Sequence, residues 1–502
     1  MQTVADGVFI RSRAKYIEEN EKCSKYFLQL EKQNSRAKCI RTLITDNGTI
    51  TEPQKILDEQ RSFYKKLYTK SCSDKCDKNC SFFNQDIPQL EENDKNNCEK
   101  LLTMKECSIA LQSLPNNKAP GSDGFTTEFF KFFWSDIKQL VFDSFIYSFK
   151  SEELSIDQRR ALLTLLPKPG KDLRYLKNWR PLSLLNTDYK ILTKLLSIRL
   201  QKVISNLVSE DQVGYIKGRQ LGENCRKIID IFESTENKVD PGLALFLDFE
   251  KAFDTVSWEF LFDTLKAFNF GPEFIKWIKV IYKKPLCSVT NNGHAAESFE
   301  TSRGIRQGCP ISALLFVLVA ELMSIAIRKE PGIKGLTLKN TTITITQMAD
   351  DTTLFLKDLN SVQNCLKILN HFNKCAGLKL NKDKTEAFQL GINSHTIQAK
   401  YGLKWVNGPI KVTGIWVGKN MQSLSVDSIE EKIQKLKILL NMWHMRMLSM
   451  KGKITLVRSL AMPIFLYLAS FLYVPSEFIK KVNDLFFDFI WPKGKHHVKK
   501  KY

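Results

Sequence analysis

The chain has 502 residues, with 75 Lys and Arg against 54 Asp and Glu and a formal net charge of +21. That is too long for one compact domain and suits two or three; 43% hydrophobic residues, 33 Phe among them, supply a large core and exclude wholesale disorder. The positive excess points to a polyanionic partner, nucleic acid first, because a lysine or arginine beside a phosphate releases a condensed counterion.

In chain order, residues 14–38 and 52–68 place apolar side chains at helical intervals between charges and predict two amphipathic helices. Residues 69–99 are polar and predict a mobile connection. Cys72, Cys76 and Cys80 recur there every four residues, but the spacing is wide for zinc and no histidine stands nearby in sequence, so a metal site is not expected. Twelve cysteines without paired spacing, and no apolar run in MQTVADGVFIRSR, imply a reducing compartment. Residues 159–227 hold 15 Lys and Arg against 5 Asp and Glu, almost half of the net charge.

The run LALFLDF, residues 243–249, predicts a buried strand that carries Asp248 into a helical pattern. Taken alone, such an aspartate reads as a helix cap; pairing or metal binding are the other ways to avoid a bare buried charge. About 100 residues later TTITITQ, MADD and TTLFLKD predict a hairpin whose tip holds Asp350 and Asp351, two like charges that repel unless a cation lies between them. If the two segments are neighbours, three carboxylates converge as oxygen ligands for two Mg²⁺ ions, which take few protein ligands and leave room for water and phosphates. Two such ions lower the pKa of an attacking hydroxyl and stabilise a leaving oxygen, so the expected chemistry is nucleotidyl transfer on nucleic acid. From Asp427 onward the rhythm is helical, with 14 basic against 6 acidic residues. The apolar run 461–474 contains Pro463 and is short for a bilayer, which predicts a buried core helix and no membrane partner.

FLDFEKAFD (246–254), GIRQGCPIS (304–312) and MADD (348–351) resemble successive palm motifs of reverse transcriptases, those of LINE-type (non-LTR) retrotransposons above all. NNKAPGSDGFTTEFFK (116–131), LLPKPGKDLRYLKNWRPLSLLNTDYKIL (165–192), DQVGYIKGR (211–219), GLKLNKDKTE (377–386) and FIWPKGK (489–495) extend the likeness over about residues 10–500. The resemblance implies an α+β right-hand polymerase. Its parts would be a helical extension and mobile linker over 1–100, fingers over 101–240, a palm of antiparallel sheet and packed helices over 241–425, and a helical thumb with a basic end over 426–502. It implies an RNA-directed DNA polymerase that takes an RNA template, a DNA primer or target and dNTPs.

Carried over by residue, the resemblance makes Asp248, Asp350 and Asp351 the metal-binding catalytic carboxylates and Lys384 a general acid for pyrophosphate. Lys168 and Arg180 would grip the triphosphate, Phe253 would exclude a ribose 2′-hydroxyl, and Gln307 and Gly308 would line the pocket of the nascent base pair. Pro310 would open the apolar helix after them. On the thumb, Lys451, Lys453 and Arg458 are the candidates for backbone contact, and Trp416 and Trp443 read as core. The chain departs from the pattern at Met348, usually Tyr or Phe, and at Val412–Gly414, where a primer-grip aromatic is usual. Endonuclease, Cys/His-rich and ribonuclease H signatures are not recognised, which implies a fragment or truncated copy of an element's polyprotein. An intracellular site, nuclear or in a cytoplasmic ribonucleoprotein, follows, with Lys499–Lys501 as a short basic arm or nuclear signal. A group II intron-type maturase and a decayed copy that only binds RNA are the rival readings.

Overall fold

The computed structural model describes residues 39–70, 80–392, 401–444, 446 and 448–491. The helix expected over 14–38, the cysteines Cys72 and Cys76 and the basic arm Lys499–Lys501 lie outside them. Helix α1 (Pro53–Tyr68) begins on a proline whose fixed φ suits a first turn, and buries Ile56, Leu57, Tyr64 and Tyr68 on one face. The described part of the stretch 69–99 departs from the expected loop. Phe82 is buried edge-on against Phe260 and Phe372, and Glu92–Glu99 is a helix. Its end is tied from a distance: the buried Arg199 donates to Cys98 O in the last turn at 3.1 Å and to Leu101 O just beyond it at 2.9 Å while paired with Glu106 at 2.8 Å. Polar composition concealed these partners because they lie a hundred or more residues away.

Strands β1 (Arg160–Pro167) and β2 (Trp179–Leu185) form an antiparallel pair with Leu166 opposite Arg180. Helix α2 (Thr187–Leu207), buried on most sides, and α3 (Leu221–Thr235) lead into β3 (Leu243–Leu247). β4 (Leu286–Asn291) returns to lie parallel to β1. Helix α4 (Ser312–Lys329) is apolar all round and almost wholly buried; it starts two residues after Pro310 rather than on it. β5 (Ile345–Met348), β6 (Asp351–Leu356), α5 (Leu359–Ala376), β7 (Glu386–Gln389) and β8 (Lys404–Trp405) follow.

The second sheet runs β5-β6-β3-β7-β8, antiparallel except for β7 beside β8. Its strands are buried on both faces, and their alternation separates two cores. Leu243, Leu245, Leu354 and Leu356 face one; Ala244, Phe355 and Phe388 face the other. The run read as a single strand over 341–347 is two: Thr341–Ile343 pairs back on Leu336–Leu338, and only Ile345–Met348 joins the sheet.

A two-residue turn joins β9 (Ile410–Val412) to β10 (Ile415–Val417) through Thr413 and Gly414, both at positive φ. Threonine is strained there, and its carbonyl accepts the Tyr467 hydroxyl at 2.6 Å. Helix α6 (Met421–His444) then opens the C-terminal helical region, with α7 (Met462–Ala469) and α8 (Ser476–Ile490) packed on it. Pro463 cannot donate to the preceding turn, and the chain widens into a π-turn over Val457–Ala461. Met450–Ala469 is long and apolar enough by length and composition to cross a membrane, and only 28% of it is buried. The run 461–474 is helical only to Ala469; Ala461, Phe465, Leu468, Phe471 and Leu472 are buried, whereas Met462 and Leu466 are exposed.

Candidate active site

The register of β6 on β3 ends with Thr352 opposite Leu247, and Asp351 and Asp248 are the next residues on the two segments, near enough for Asp248 to act on Asp351 electrostatically. Across the hairpin Met348 pairs with Asp351, which leaves Ala349 and Asp350 as the turn. Ala349 has φ 57°, a left-handed conformation costly for a residue with a Cβ. It is held from outside the hairpin. The Ala349 N–H donates to Gln212 Oε1 at 2.7 Å, and Gln212 Nε2 donates back to Ala349 O at 3.4 Å. A Cβ on Gly214 would stand 2.5 Å from Ala349 N, so only glycine lets this loop approach. Val213 N–H to Gln347 O at 2.9 Å and Gln347 N–H to Asp211 O at 2.8 Å complete the splint. Arg219 anchors it by donating to Val208 O and Gln212 O.

Burial drives the carboxyl pKa of Asp350 and Asp351 upward; Asp248 adds to both and Asp350 adds to Asp351, while Arg180 offsets part. Tyr215, exposed beside them, has its hydroxyl pKa raised by burial and by both aspartates. The Asp248 side chain is 42% exposed, with Lys384 Nζ 3.5 Å from Oδ2. That oxygen itself is closed to solvent and has no hydrogen-bond partner. A buried carboxylate oxygen with a lysine contact but no hydrogen bond, beside two more carboxylates whose ionised form is disfavoured by burial, is a donor set that fits a hard divalent cation. Lys168 has its pKa lowered by burial first and then by Lys384 and Arg180, with Asp248 and Asp254 opposing. Lys384 stands at the rim of the aspartate cluster by its contact with Asp248, and Lys168 and Arg180 are near enough to exchange electrostatic influence with Asp248 and Asp350 respectively.

Behind the cluster lies Asp254, almost fully buried and given no role by the sequence. Its Oδ1 accepts the Tyr68 hydroxyl at 2.9 Å and Gln307 Nε2 at 3.1 Å, which fixes the Gln307 amide. Gly308 has φ 107°, and a Cβ there would meet Ser183 O at 2.6 Å. Its close backbone approach is thus to β2, where Ser183 N–H also donates to Gln307 O at 2.8 Å. Phe253 is half-buried and lies flat on Phe316, centroids 4.4 Å apart and 17° between planes.

Burial pushes the Asp254 carboxyl from 3.8 up to about 6, against the pull of Lys251, Tyr68 and Gln307. A folded pKa above the unfolded one means that the native state holds this proton more tightly. The contribution is therefore full below about pH 4 and lost as pH rises through about 6, and linkage makes it about 3 kcal/mol. Denaturant midpoints at pH 4 and pH 7 should show Asp254→Asn gaining on the unsubstituted protein by up to that amount. A difference that does not change with pH would contradict this account.

Among the described residues, the candidates of the C-terminal helical region are not bonded to the cluster. Lys453 Nζ donates to Ile490 O at 3.4 Å, at the end of α8, whereas Lys451 and Arg458 are exposed. Trp416 donates to Glu431 at 3.1 Å under the Lys411 ammonium, and Trp443 carries the Arg446 guanidinium over its ring. Much of the basic excess in residues 159–227 also serves the fold: Arg159 pairs with Glu153, Arg199 with Glu106 and Arg226 with Asp230. Composition alone could not separate these from the arginine and lysines at the rim. Gln212, Gly214, Tyr215, Tyr68 and Asp254 were missed as site residues; DQVGYIKGR and FLDFEKAFD were the available signals for all but Tyr68, which carries none.

Residues 166–417 match the family described as reverse transcriptase (RNA-dependent DNA polymerase). A "Transposon TX1 uncharacterized 149 kDa protein" from Xenopus laevis is 32% identical over 99% of this chain and 38% of its own length. The Pol polyprotein of the type-2 retrotransposable element R2DM of Drosophila melanogaster is 26% identical over 56% of this chain and 26% of its own. The RNA-directed DNA polymerase from the mobile element jockey, also of Drosophila melanogaster, is 25% identical over 44% of this chain and 24% of its own. The chain thus spans well under half the length of these relatives.

Proposed function

This chain belongs to the reverse transcriptase (RNA-dependent DNA polymerase) family, and from that premise we propose that it copies a retrotransposon's RNA into DNA by extending a DNA 3′-hydroxyl. The observation that carries the proposal is the pairing of β6 with β3, which ends one residue short of Asp351 and Asp248, with Asp350 in the adjoining turn and Asp248 Oδ2 closed to solvent beside Lys384. Asp248, Asp350 and Asp351 would hold two Mg²⁺ ions, which when bound supply Lewis acidity to the attacking and leaving oxygens. The remaining work is done by the chain. Arg180 and Lys168 take the triphosphate of the incoming nucleotide, arginine by a forked contact and lysine as a point charge. Gln307, its amide fixed by Asp254, orients the base pair. Lys384, beside Asp248, stands where it can give a proton to the leaving pyrophosphate. Names of the relatives as mobile elements favour this reading over an intron maturase.

The flat seat of Phe253 on Phe316 holds its ring in one place, as exclusion of a ribose 2′-hydroxyl requires. Phe253→Val should raise the ratio of ribonucleotide to deoxynucleotide incorporation about 10²-fold, read from single-nucleotide insertion. An unchanged ratio would remove the gate from this residue. The proposal as a whole is tested by primer extension on an RNA template with dNTPs and Mg²⁺, comparing the chain with Asp350→Ala. Equal extension by the two would end it.

A further inference from the structure

We propose that Cys80, His371 and Cys375 bind a structural zinc ion. In sequence Cys80 belongs to a series without a neighbouring histidine, but the fold supplies one from α5. His371 and Cys375 lie one helical turn apart on that helix and so share a face. Cys80 comes to them from the connection after α1, and one ligand atom from each of the three lies within 4.8 Å of the others. The His371 Nε2 is 4.0 Å from Cys375 Sγ. Its imidazole is stacked on Phe82 with centroids 5.1 Å apart, which sets the plane of the ring.

Tetrahedral zinc with arms of about 2.3 Å to sulfur and about 2.0 Å to nitrogen holds its ligand atoms about 3.5–3.8 Å apart. Rotation of side chains by about an ångström closes the triad to that size. Two thiolates and an imidazole suit zinc, whereas magnesium takes oxygen ligands. On binding, each thiol gives its proton to solvent and the two thiolates balance the 2+ charge, so the complex is neutral where both cysteines are buried. The Ser81 hydroxyl, 3.1 Å from His371 Nε2, would exchange that hydrogen bond for the metal's place. The fourth corner is left to water or a further thiol. A simple core pair of cysteines would account for the burial; the imidazole that comes within 4.8 Å of both sulfurs completes a set of three metal-binding groups.

The clamp has a structural purpose. Cys375 precedes by one residue Ala376, whose carbonyl accepts Ser257 N–H at 2.9 Å, and Asn381 N–H donates to Asp248 O at 2.8 Å. Zinc would thus tie the segment after α1 to the helix end that feeds the strand neighbouring Asp248.

The test uses the full 502-residue chain, reconstituted with equimolar zinc and desalted. Metal analysis should find about one zinc per chain, as in the control Cys39→Ser, and less than about a tenth of that in Cys80→Ser, His371→Gln and Cys375→Ser. A chelator should lower the melting midpoint of the unsubstituted chain by about 5 °C and leave the three variants unmoved. Cobalt in place of zinc should give tetrahedral d–d bands and thiolate charge transfer, a readout that needs no variant to fold. Zinc-free protein, zinc retained by Cys375→Ser and His371→Gln, a Cys80–Cys375 disulfide in the reconstituted chain, or a cobalt spectrum without thiolate bands would each overturn the site.

Discussion

Asp350→Ala is expected to cut primer extension on RNA by about 10³-fold or more while leaving RNA affinity within about twofold, since an anionic carboxylate does not attract template phosphates. The folded state should not suffer. Asp350 sits in a two-residue turn between strands paired in register, and its charge raises the pKa of Asp351. Its removal relieves repulsion in a partly buried cluster, so the melting midpoint should stay level or rise. That combination separates a lost ligand from a lost fold. A variant that loses RNA binding or melts early would have failed for structural reasons, and Asp351→Asn then supplies the comparison, keeping the shape of the side chain without its charge. Extension unaffected in both would leave the carboxylates without a catalytic part.

Gly214→Ala is expected to lower kcat about 10²-fold with little change in KM, although no part of residue 214 need touch substrate. The added methyl would stand 2.5 Å from Ala349 N and 2.8 Å from Gln212 Oε1, and something must move. The turn is the softer partner, because Ala349 already occupies a left-handed conformation held by the Gln212 hydrogen bonds. A shift of about an ångström there displaces Asp350 from Asp248. Gly222→Ala, on α3 with its nearest neighbours 3.8 Å away, is the control and should be silent or slightly stabilising. Steady-state kinetics of the two variants decide the matter, and a silent Gly214→Ala would show that the splint is looser than its geometry implies.

The strands and the hairpin were legible because their signals are local. Apolar runs with alternation mark buried strands, and Asp350 between two of them marks a turn. The break at Thr344 escaped the same reading, since both halves of the run keep a period of two and only the exchange of partner divides them. The stretch 92–99 was misread for a related reason: its helix is finished by Arg199, which no local pattern announces.

What sequence by itself determined is the set of carboxylates, their strand-end and turn positions, and the order of the motifs around them, all properties of neighbours along the chain. Tertiary structure alone decided how those groups are held. Gln212 braces Ala349, Asp254 joins Tyr68 to Gln307, and His371 meets Ser81 across 290 residues of chain, with Cys80 beside it. Such contacts arise when separate elements pack and their side chains fall within hydrogen-bonding or ligand distance. That distance depends on register and on crossing of elements, which residue order does not encode locally.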